Sequence, residues 1–249
     1  LMLKLDQSVL NKRVFTEKSY RKITNGFPTA LECMRLLEKG EQCIDVGAAA
    51  GLMSTFFAKK MFHVHAYEPS PSFKETEKLT EQFDNVSVYN LAVSNTEGKK
   101  TFYIDNKRLS QNGFLDPGWG VPITVDTVML DNQNHSNIGL IKIDTEGTEL
   151  DVIKGATGII KNNFPTFVVE IWDRNTKDPG SWFEYMEEMN YQMYWYHVKQ
   201  KQIIRCKTVD ECVRDVSLPT HPHDADFIFV HESRSTNDYT TCLISPVTI

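Results

Sequence analysis

Short apolar runs alternate with amphipathic stretches along most of the chain, and turn-forming residues separate them. A short apolar run between turns is typical of a buried strand, whereas apolar residues spaced three and four apart are typical of a helix. Ser72 with Glu75, and Ser181 with Glu184, have the spacing of a capping box at a helix start. The pattern predicts strands at 43–47, 62–67, 85–92, 139–143, 167–171, 191–198, 202–206 and 225–230, and helices at 52–61, from Ser72, from Thr148 to about 161 and from Ser181.

Strands that alternate with capped helices predict an α/β fold, because parallel strands need a crossover element between them. We expect a doubly wound, Rossmann-like sheet, mostly parallel, with an antiparallel final strand and helices on both faces. The segments 100–104 and 121–128 are predicted to form a hairpin laid on this sheet. The expected organisation is an N-terminal helical extension (1–42), one domain (43–231) and a polar C-terminal tail (232–249).

The loop 105–120 is longer than most connections inside a compact domain, and such loops are often functional. It contains Phe114, Trp119, Lys107 and Arg108, so it is a candidate lid over an acceptor. A purely structural loop is the alternative.

Composition narrows the class of protein. The 249 residues carry a formal net charge of −6, which argues against a protein that coats nucleic acid. Basic residues crowd the stretch 12–22, where a solvated face is favoured over a phosphate-binding patch. No apolar run reaches membrane-spanning length, so no membrane partner is expected. The five cysteines lack metal-ligand or disulfide-framework spacing, which favours reduced thiols and a cytoplasmic location.

The first predicted strand ends in Asp45 and runs into a loop of small residues, Gly47, Ala48, Ala49 and Gly51. Small residues let the chain turn tightly and let a ligand approach the backbone, although a plain strand–helix turn would use them too.

Two carboxylates decide which ligand this loop suits. Glu68 ends the second strand, where it can accept hydrogen bonds from a ribose diol. Asp45 would repel a diphosphate but attract a sulfonium or ammonium group. The spacing therefore favours S-adenosylmethionine (SAM) over a nicotinamide cofactor.

Lys142 and Asp144 lie two residues apart near the end of the strand 139–143, on the same face. They could form an internal ion pair, or the carboxylates here could cap the next helix, since buried charges need partners. Alternatively, this strand end borders the transferred methyl group, together with Glu146 and with Glu170 of the next strand. For Glu170 a supporting role and a direct substrate contact remain open. No metal site is assigned: His221, His223, Asp224 and Asp226 are interpreted as a surface turn.

With these motifs the chain resembles the FkbM-type methyltransferases over residues 43–172. One departure is Ala49, where the family pattern has Asn. The matching blocks are Asp45-Val46-Gly47-Ala48, Glu68-Pro69-Ser70-Pro71, Asn90-Leu91-Ala92-Val93-Ser94, Thr124 to Asp131, Lys142-Ile143-Asp144-Thr145-Glu146-Gly147-Thr148-Glu149, Lys154-Gly155-Ala156 and Val169-Glu170.

The resemblance implies a class I, SAM-dependent methyltransferase that acts on a hydroxyl oxygen of a sugar or other small molecule. The site residues expected from the residues and the resemblance together are Asp45, Gly47, Ala48, Ala49, Gly51, Glu68, Pro69 and Ala92 for the cofactor, and Lys142, Asp144, Glu146 and Glu170 for catalysis.

From the chemistry of methyl transfer, Asp144 or Glu146 is the hypothetical base and Lys142 tunes the local charge. Three alternatives stay open: RNA cap or ribose 2′-O-methylation with a phosphorylated nucleotide or RNA end as partner, a non-catalytic SAM-binding module, and a nicotinamide-dependent reductase. The oligomeric state is left open.

Overall fold

The computed structural model describes residues 40–59, 61–104, 112–116, 118, 120–171, 179–197, 202–206 and 226–234. Most of the predicted N-terminal extension, most of the tail, three of the four lid residues (Lys107, Arg108 and Trp119) and the histidines at 221 and 223 with Asp224 lie outside these residues. The predicted domain boundaries therefore stay a prediction.

Strands and helices alternate in the first half of the described chain. The helices are α1 (Leu52–Ala58), α2 (Phe73–Thr80), α3 (Glu149–Lys154), α4 (Thr157–Asn163) and α5 (Pro179–Glu188). The strands are β1 (Gln42–Val46), β2 (His63–Tyr67), β3 (Val86–Tyr89), β4 (Ala92–Val93), β5 (Gly98–Ile104), β6 (Val121–Val128), β7 (Ile138–Ile143), β8 (Thr166–Glu170), β9 (Tyr191–His197), β10 (Gln202–Arg205) and β11 (Asp226–His231).

Eight strands form the main sheet in the order β10-β9-β11-β8-β7-β1-β2-β3. The strands β3, β2, β1, β7 and β8 are parallel, and β11 pairs antiparallel with both β8 and β9. The predicted doubly wound α/β fold is thus confirmed, with β10 as an additional antiparallel edge. Strand order reverses between β1 and β7, which is where open sheets of this kind bind ligands.

Alternate residues of the central strands enter different cores, which explains why these strands are apolar throughout. Cys43 and Leu140 pack with α1 residues such as Phe56. Ile44 and Ile141 face the opposite core, which includes Val152 of α3 and residues of α4 and α5. Helices therefore cover both faces, as predicted.

A second sheet of three strands has the order β4-β6-β5. The antiparallel pair β5–β6 confirms the predicted hairpin. The strand predicted at 85–92 was wrong in one respect, because its last residues leave the main sheet. Ala92 pairs with Thr127 in the second sheet instead.

The helix predicted from Thr148 to about 161 is two helices, since α3 ends at Lys154 and α4 begins at Thr157. Between them, the Gly155 carbonyl accepts the Asp131 N–H at 3.0 Å. A Cβ atom at Gly155 would overlap the carbonyl oxygen of Ser94. The Asp131 carboxylate then accepts the N–H groups of Gly158 (2.7 Å) and Ile159 (2.9 Å) at the start of α4. Tertiary contacts thus override the local helical pattern.

Both predicted capping boxes were wrong. Ser72 precedes α2 but its side chain makes no capping hydrogen bond, and its backbone is already helical. Ser181 lies inside α5, which begins at Pro179. Thr148 likewise makes no side-chain cap to α3. The first helix also ends earlier than predicted, at Ala58.

Candidate active site

The loop after β1, residues 47–51 (the β1 loop), is fixed by backbone contacts on two sides. The N–H groups of Gly47 and Ala48 both donate to the carbonyl oxygen of Tyr67, each at 3.0 Å. Gly47 has φ of 78°, and a Cβ atom there would overlap the backbone carbonyl of Asp144. Only glycine satisfies both conditions, so the β1 loop and the end of β7 are in direct contact.

Glu68, the predicted ribose ligand, holds the β1 loop in this structure. Its Oε2 accepts the N–H of Ala49 at 2.8 Å, and its Oε1 accepts the N–H of Ser70 at 2.9 Å. The side chain is buried, and this burial raises its pKa, although the hydrogen bonds from Ser70 and Ala49 oppose the rise. Each carboxylate oxygen can accept a further hydrogen bond, which leaves room for the predicted ribose contact. That contact stays a prediction.

Asp45 is completely buried behind the β1 loop. Its Oδ2 accepts the hydroxyl of Ser54 at 2.6 Å, and its Oδ1 lies 3.9 Å from Lys142 Nζ without a hydrogen-bond partner among the described residues. Burial raises the pKa of Asp45, and the charge of Lys142 opposes the rise. The carboxylate therefore has its charge partner within the protein, and its predicted cofactor contact stays a prediction.

Lys142 connects the two strand ends. It pairs in register with Asp45 across β1 and β7, and its Nζ lies 3.2 Å from Asp144 Oδ2. Burial lowers its pKa, but the carboxylates of Asp144, Asp45, Asp226 and Glu170 outweigh burial and raise it. Lys142 is therefore a permanently charged, buried cation, and the predicted internal ion pair with Asp144 is present.

Asp144 directly follows β7 and Glu170 ends the neighbouring strand β8, and one carboxyl oxygen of each lies within 4.8 Å of the other. Burial raises the pKa of Asp144, but the charge of Lys142 and the side chain of Glu170 outweigh burial, so the net pKa is lowered. Lys142 therefore favours the ionised form of Asp144.

Glu146 completes a group of three carboxylates. One oxygen from each of Asp144, Glu146 and Glu170 lies within 4.8 Å of the others, a spacing that could hold a metal ion. Such oxygen ligands suit Mg²⁺ or Ca²⁺. Sequence reasoning brought these three residues together but assigned them no metal.

The loop after β7, residues 144–148 (the β7 loop), contains a functional candidate that sequence reasoning missed. The carboxylate of Glu149 is buried and its Oε1 accepts the N–H of Gly147 at 2.8 Å and the hydroxyl of Thr145 at 3.1 Å. The sequence motif placed Glu149 at the start of a helix, and that position alone did not reveal the contact to the preceding loop.

Two further residues predicted to contact the cofactor, Pro69 and Ala92, have other surroundings. The Pro69 carbonyl accepts the side-chain amide of Asn90 at 3.0 Å, beside Glu68. Ala92 is buried in the core of the second sheet with Phe102 and Val125, so its side chain is not available to a cofactor. Both cofactor contacts stay predictions.

One end of the candidate lid is described and lies over the β7 loop. Gly113 pairs with Tyr103, and a Cβ atom there would lie 3.4 Å from the Cβ atom of Glu146. Phe114 packs edge-on against Phe102, with ring centroids 5.3 Å apart. This part of the 105–120 loop is therefore anchored next to the carboxylate group.

Comparison with known families then identifies the region of β7. The family model "Methyltransferase FkbM domain" matches residues 121–193, a span that includes β6, β7, the β7 loop and β8. The match confirms the predicted resemblance to the FkbM family over this span. No curated protein matches the chain.

Solved structures with similar folds are distant. The methyltransferase FkbM from Methylobacillus flagellatus is 15% identical with a TM-score of 0.48; the match covers 90% of this chain and 57% of that one. A candidate methyltransferase from Streptococcus mutans in complex with SAH is 10% identical with a TM-score of 0.48, covering 82% and 94%. An rRNA methylase from Streptococcus thermophilus is 11% identical with a TM-score of 0.47, covering 82% and 93%. At these values the likenesses carry no argument about function.

Within the described residues no helix is both long enough and apolar enough to cross a membrane.

Proposed function

We propose that this chain binds SAM at the carboxyl ends of β1 and β2 and catalyses methyl transfer to a hydroxyl oxygen of a sugar or other small molecule. One observation carries the proposal: the β1 loop and the carboxylate group meet at one edge of the sheet. Gly47 packs against the backbone of Asp144, and the Asp144 N–H donates to the Val46 carbonyl at 3.0 Å. A cofactor on the first loop would therefore adjoin the second.

The charge balance supports a cationic cofactor. Lys142 is surrounded by the carboxylates of Asp45, Asp144, Asp226 and Glu170, and Glu146 lies close to two of these. The single positive charge of Lys142 cannot balance the charges of this set of carboxylates. Because a buried surplus of negative charge attracts a sulfonium and repels a diphosphate, SAM is favoured over a nicotinamide cofactor.

Several residues would hold this cofactor. Glu68 would accept hydrogen bonds from the ribose hydroxyls while it retains the N–H groups of Ala49 and Ser70, since each oxygen has a second acceptor site. Gly47 and Ala49 are partly exposed, so the backbone of the β1 loop can be approached. SAM, when bound, supplies a methyl group on a positively charged sulfur.

The carboxylates at β7 would orient the acceptor. Asp144 is partly exposed and kept ionised by Lys142, so it can accept a hydrogen bond from an acceptor hydroxyl and take its proton. Glu146 is the second candidate for this role because its carboxylate lies in the same group. Glu170 would support Asp144 from the end of β8, since a carboxyl oxygen of each lies within 4.8 Å of the other.

The chain spans 57% of the length of the Methylobacillus flagellatus protein. The activity, the acceptor and the partners are therefore proposed from the residues of this chain and not from that protein. A cytoplasmic location is proposed from the free cysteines Cys43 and Cys206, since reduced thiols are typical of that compartment.

Calorimetry with SAM and with NADH tests the cofactor, and a radiolabelled methyl donor offered with sugars, nucleotides and capped RNA tests the acceptor. We expect SAM binding, no NADH binding and label in a hydroxyl of a small molecule. Preference for NADH, or SAM binding without transfer to any acceptor, would contradict the proposal. Label appearing only in RNA would contradict the acceptor class.

Two variants assign the roles. Glu68→Ala should weaken SAM binding about tenfold or more, because hydrogen bonds to a charged group are lost. Asp144→Asn should lower turnover about a hundredfold and change SAM affinity little. The exposed residues Glu75 and Asp84 provide matched controls, Glu75→Ala and Asp84→Asn, which should behave like the wild type.

A further inference from the structure

A single buried oxygen accepts two hydrogen bonds from the β7 loop. Glu149 Oε1 accepts both the Gly147 N–H (2.8 Å) and the Thr145 hydroxyl (3.1 Å). Glu149 is only 3% exposed, so water does not compete for these bonds. Two groups on either side of Glu146 are thereby tied to the start of α3.

The residue between these two ties has an unfavourable backbone conformation. Glu146 has φ of 56°, in the left-handed region that side chains other than glycine and asparagine rarely adopt. Gly147 follows with φ of 112°. Such a conformation persists only when the surrounding contacts impose it. Here it brings the Glu146 carboxylate to within 4.8 Å of Asp144 and Glu170.

We infer that Glu149 is a positioning residue, which holds the β7 loop so that the Glu146 carboxylate faces the acceptor side of the site. The inference rests on the proposed function only in assuming that the site binds a methyl acceptor. The effect of Glu149 on the β7 loop is independent of any substrate. Glu149 acts through the backbone of Gly147 and the hydroxyl of Thr145 and needs no contact with a reactant.

The competing explanation is that Glu149 only stabilises α3 as an acidic residue in its first turn. Asp151 is the matched control, because it is acidic, lies in the same turn and accepts the side-chain amide of Asn95 at 3.0 Å instead of a loop group. If helix stabilisation were the whole role, loss of either carboxylate would have similar effects.

The first test measures amide hydrogen exchange by NMR, with no ligand present. Glu149→Gln retains an oxygen that can accept both bonds, whereas Glu149→Met has similar length but no acceptor. We expect the Gly147 amide to exchange about tenfold faster in Glu149→Met than in the wild type, and Glu149→Gln to restore most of the protection. The Gly158 amide, which donates to Asp131, should not change in any variant.

Unchanged exchange at Gly147 in Glu149→Met, or equal acceleration in Asp151→Asn, would overturn the inference. If Glu149→Met does not fold, Glu149→Gln decides the question. Loss of the charged acceptor should then speed Gly147 exchange about threefold and leave Gly158 exchange unchanged. If Gly147 exchange is not selectively faster in Glu149→Gln, the inference is wrong.

The second test separates the two roles in the assay. Glu149→Met should lower kcat about tenfold or more while SAM affinity stays within about twofold, with rescue by Glu149→Gln. An equal loss of SAM affinity would contradict an effect confined to the β7 loop. If no acceptor is ever methylated, the proposed function fails, whereas the exchange result still decides the role of Glu149.

Discussion

The β1 loop and the β7 loop have the same construction but obtain their fixing carboxylate from different places. Each follows a buried parallel strand and contains one non-glycine residue with positive φ, Ala49 (49°) or Glu146 (56°). Each has a backbone N–H held at 2.8 Å by a buried glutamate. For the β1 loop that glutamate is Glu68, 19 positions from Ala49, whereas for the β7 loop it is Glu149, two positions from Gly147.

This difference determines what each loop depends on. The β1 loop keeps its shape only while β2 is paired with β1, because Glu68 and Tyr67 both belong to the β2 edge. The β7 loop is fixed by the first residue of the helix that follows it. The shape of the β1 loop is therefore a property of the sheet, while the shape of the β7 loop is largely local.

Two polar groups beside the central strands also differ in charge. Near β2 lies a cluster of neutral histidines and tyrosines, in which the rings of His65 and His135 are 4.0 Å apart and Tyr67 Oη lies 2.7 Å from His135 Nε2. Between the ends of β1 and β7 lies the ionic group of Lys142 with Asp45 and Asp144. The first arrangement requires uncharged rings, and the second requires ionised partners.

The largest expected effect comes from breaking the contact between the loops. Gly47→Ala places a Cβ atom onto the Asp144 carbonyl and also strains a residue with φ of 78°. We expect the free energy of unfolding in urea to fall by about 4 kcal/mol or more, or the protein not to fold.

Gly98→Ala is the control for this variant, since Gly98 also has positive φ (132°) but no atom lies within 4 Å of an added Cβ. It isolates the cost of the backbone conformation, about 1–3 kcal/mol. Equal losses in the two variants would mean that the contact between the β1 loop and β7 contributes nothing.

The contrast between the loops also explains what the sequence could predict. Buried parallel strands are apolar throughout and are followed by turn residues, so β1, β2, β7 and β8 were found within a residue or so. Asp45, Lys142 and Asp144 stood out because charges interrupt apolar strands. The break after Lys154 was missed because Asp131, which bonds to the Gly155 carbonyl and to the N–H groups of Gly158 and Ile159, lies outside the local pattern.

Side-chain partners were the least predictable part. Glu68 was correctly placed at the end of β2, but its bonds to the N–H groups of Ala49 and Ser70 follow from the three-dimensional approach of the loops. The capping boxes failed because an identical spacing also occurs where the chain starts its helix earlier, as at Pro179. For Glu149 a usable signal was present, namely a glutamate at a helix start two residues after a glycine, since its side chain can turn back to the glycine N–H.

Acidification tests the difference in charge between the histidine–tyrosine cluster near β2 and the ionic group of Lys142. Burial first, and then the neighbouring His135 and His63, lower the pKa of His65 to about 3. Stability due to neutral His65 is therefore complete above its unfolded pKa of about 6.5 and is lost as the pH falls below that value. Relative to His65→Gln, the wild type should lose about 2 kcal/mol of unfolding free energy between pH 7 and pH 5.

The comparison uses the difference in unfolding free energy between the wild type and the variant. In this difference the contributions of the carboxylates cancel, because their raised or lowered pKa values affect both proteins equally. His231→Gln is the control, because the pKa of His231 is lowered as well, by burial, but the residue lies on β11 away from the cluster. It should change the pH dependence less than His65→Gln does. A difference between wild type and His65→Gln that is independent of pH would show that His65 is not held neutral by the fold.

The smallest effect concerns the one residue at which the β1 loop departs from the family pattern. Ala49 has φ of 49°, and Asn tolerates this conformation better than Ala because its short polar side chain can form local hydrogen bonds. Ala49→Asn should therefore raise the free energy of unfolding by about 0.5 kcal/mol. Ala50→Asn, at a neighbouring position of similar exposure without positive φ, should give no gain. An equal gain at both positions would point to solvation and not to backbone strain, whereas a gain at Ala49 alone would show that the β1 loop carries strain which Glu68 and Tyr67 hold in place.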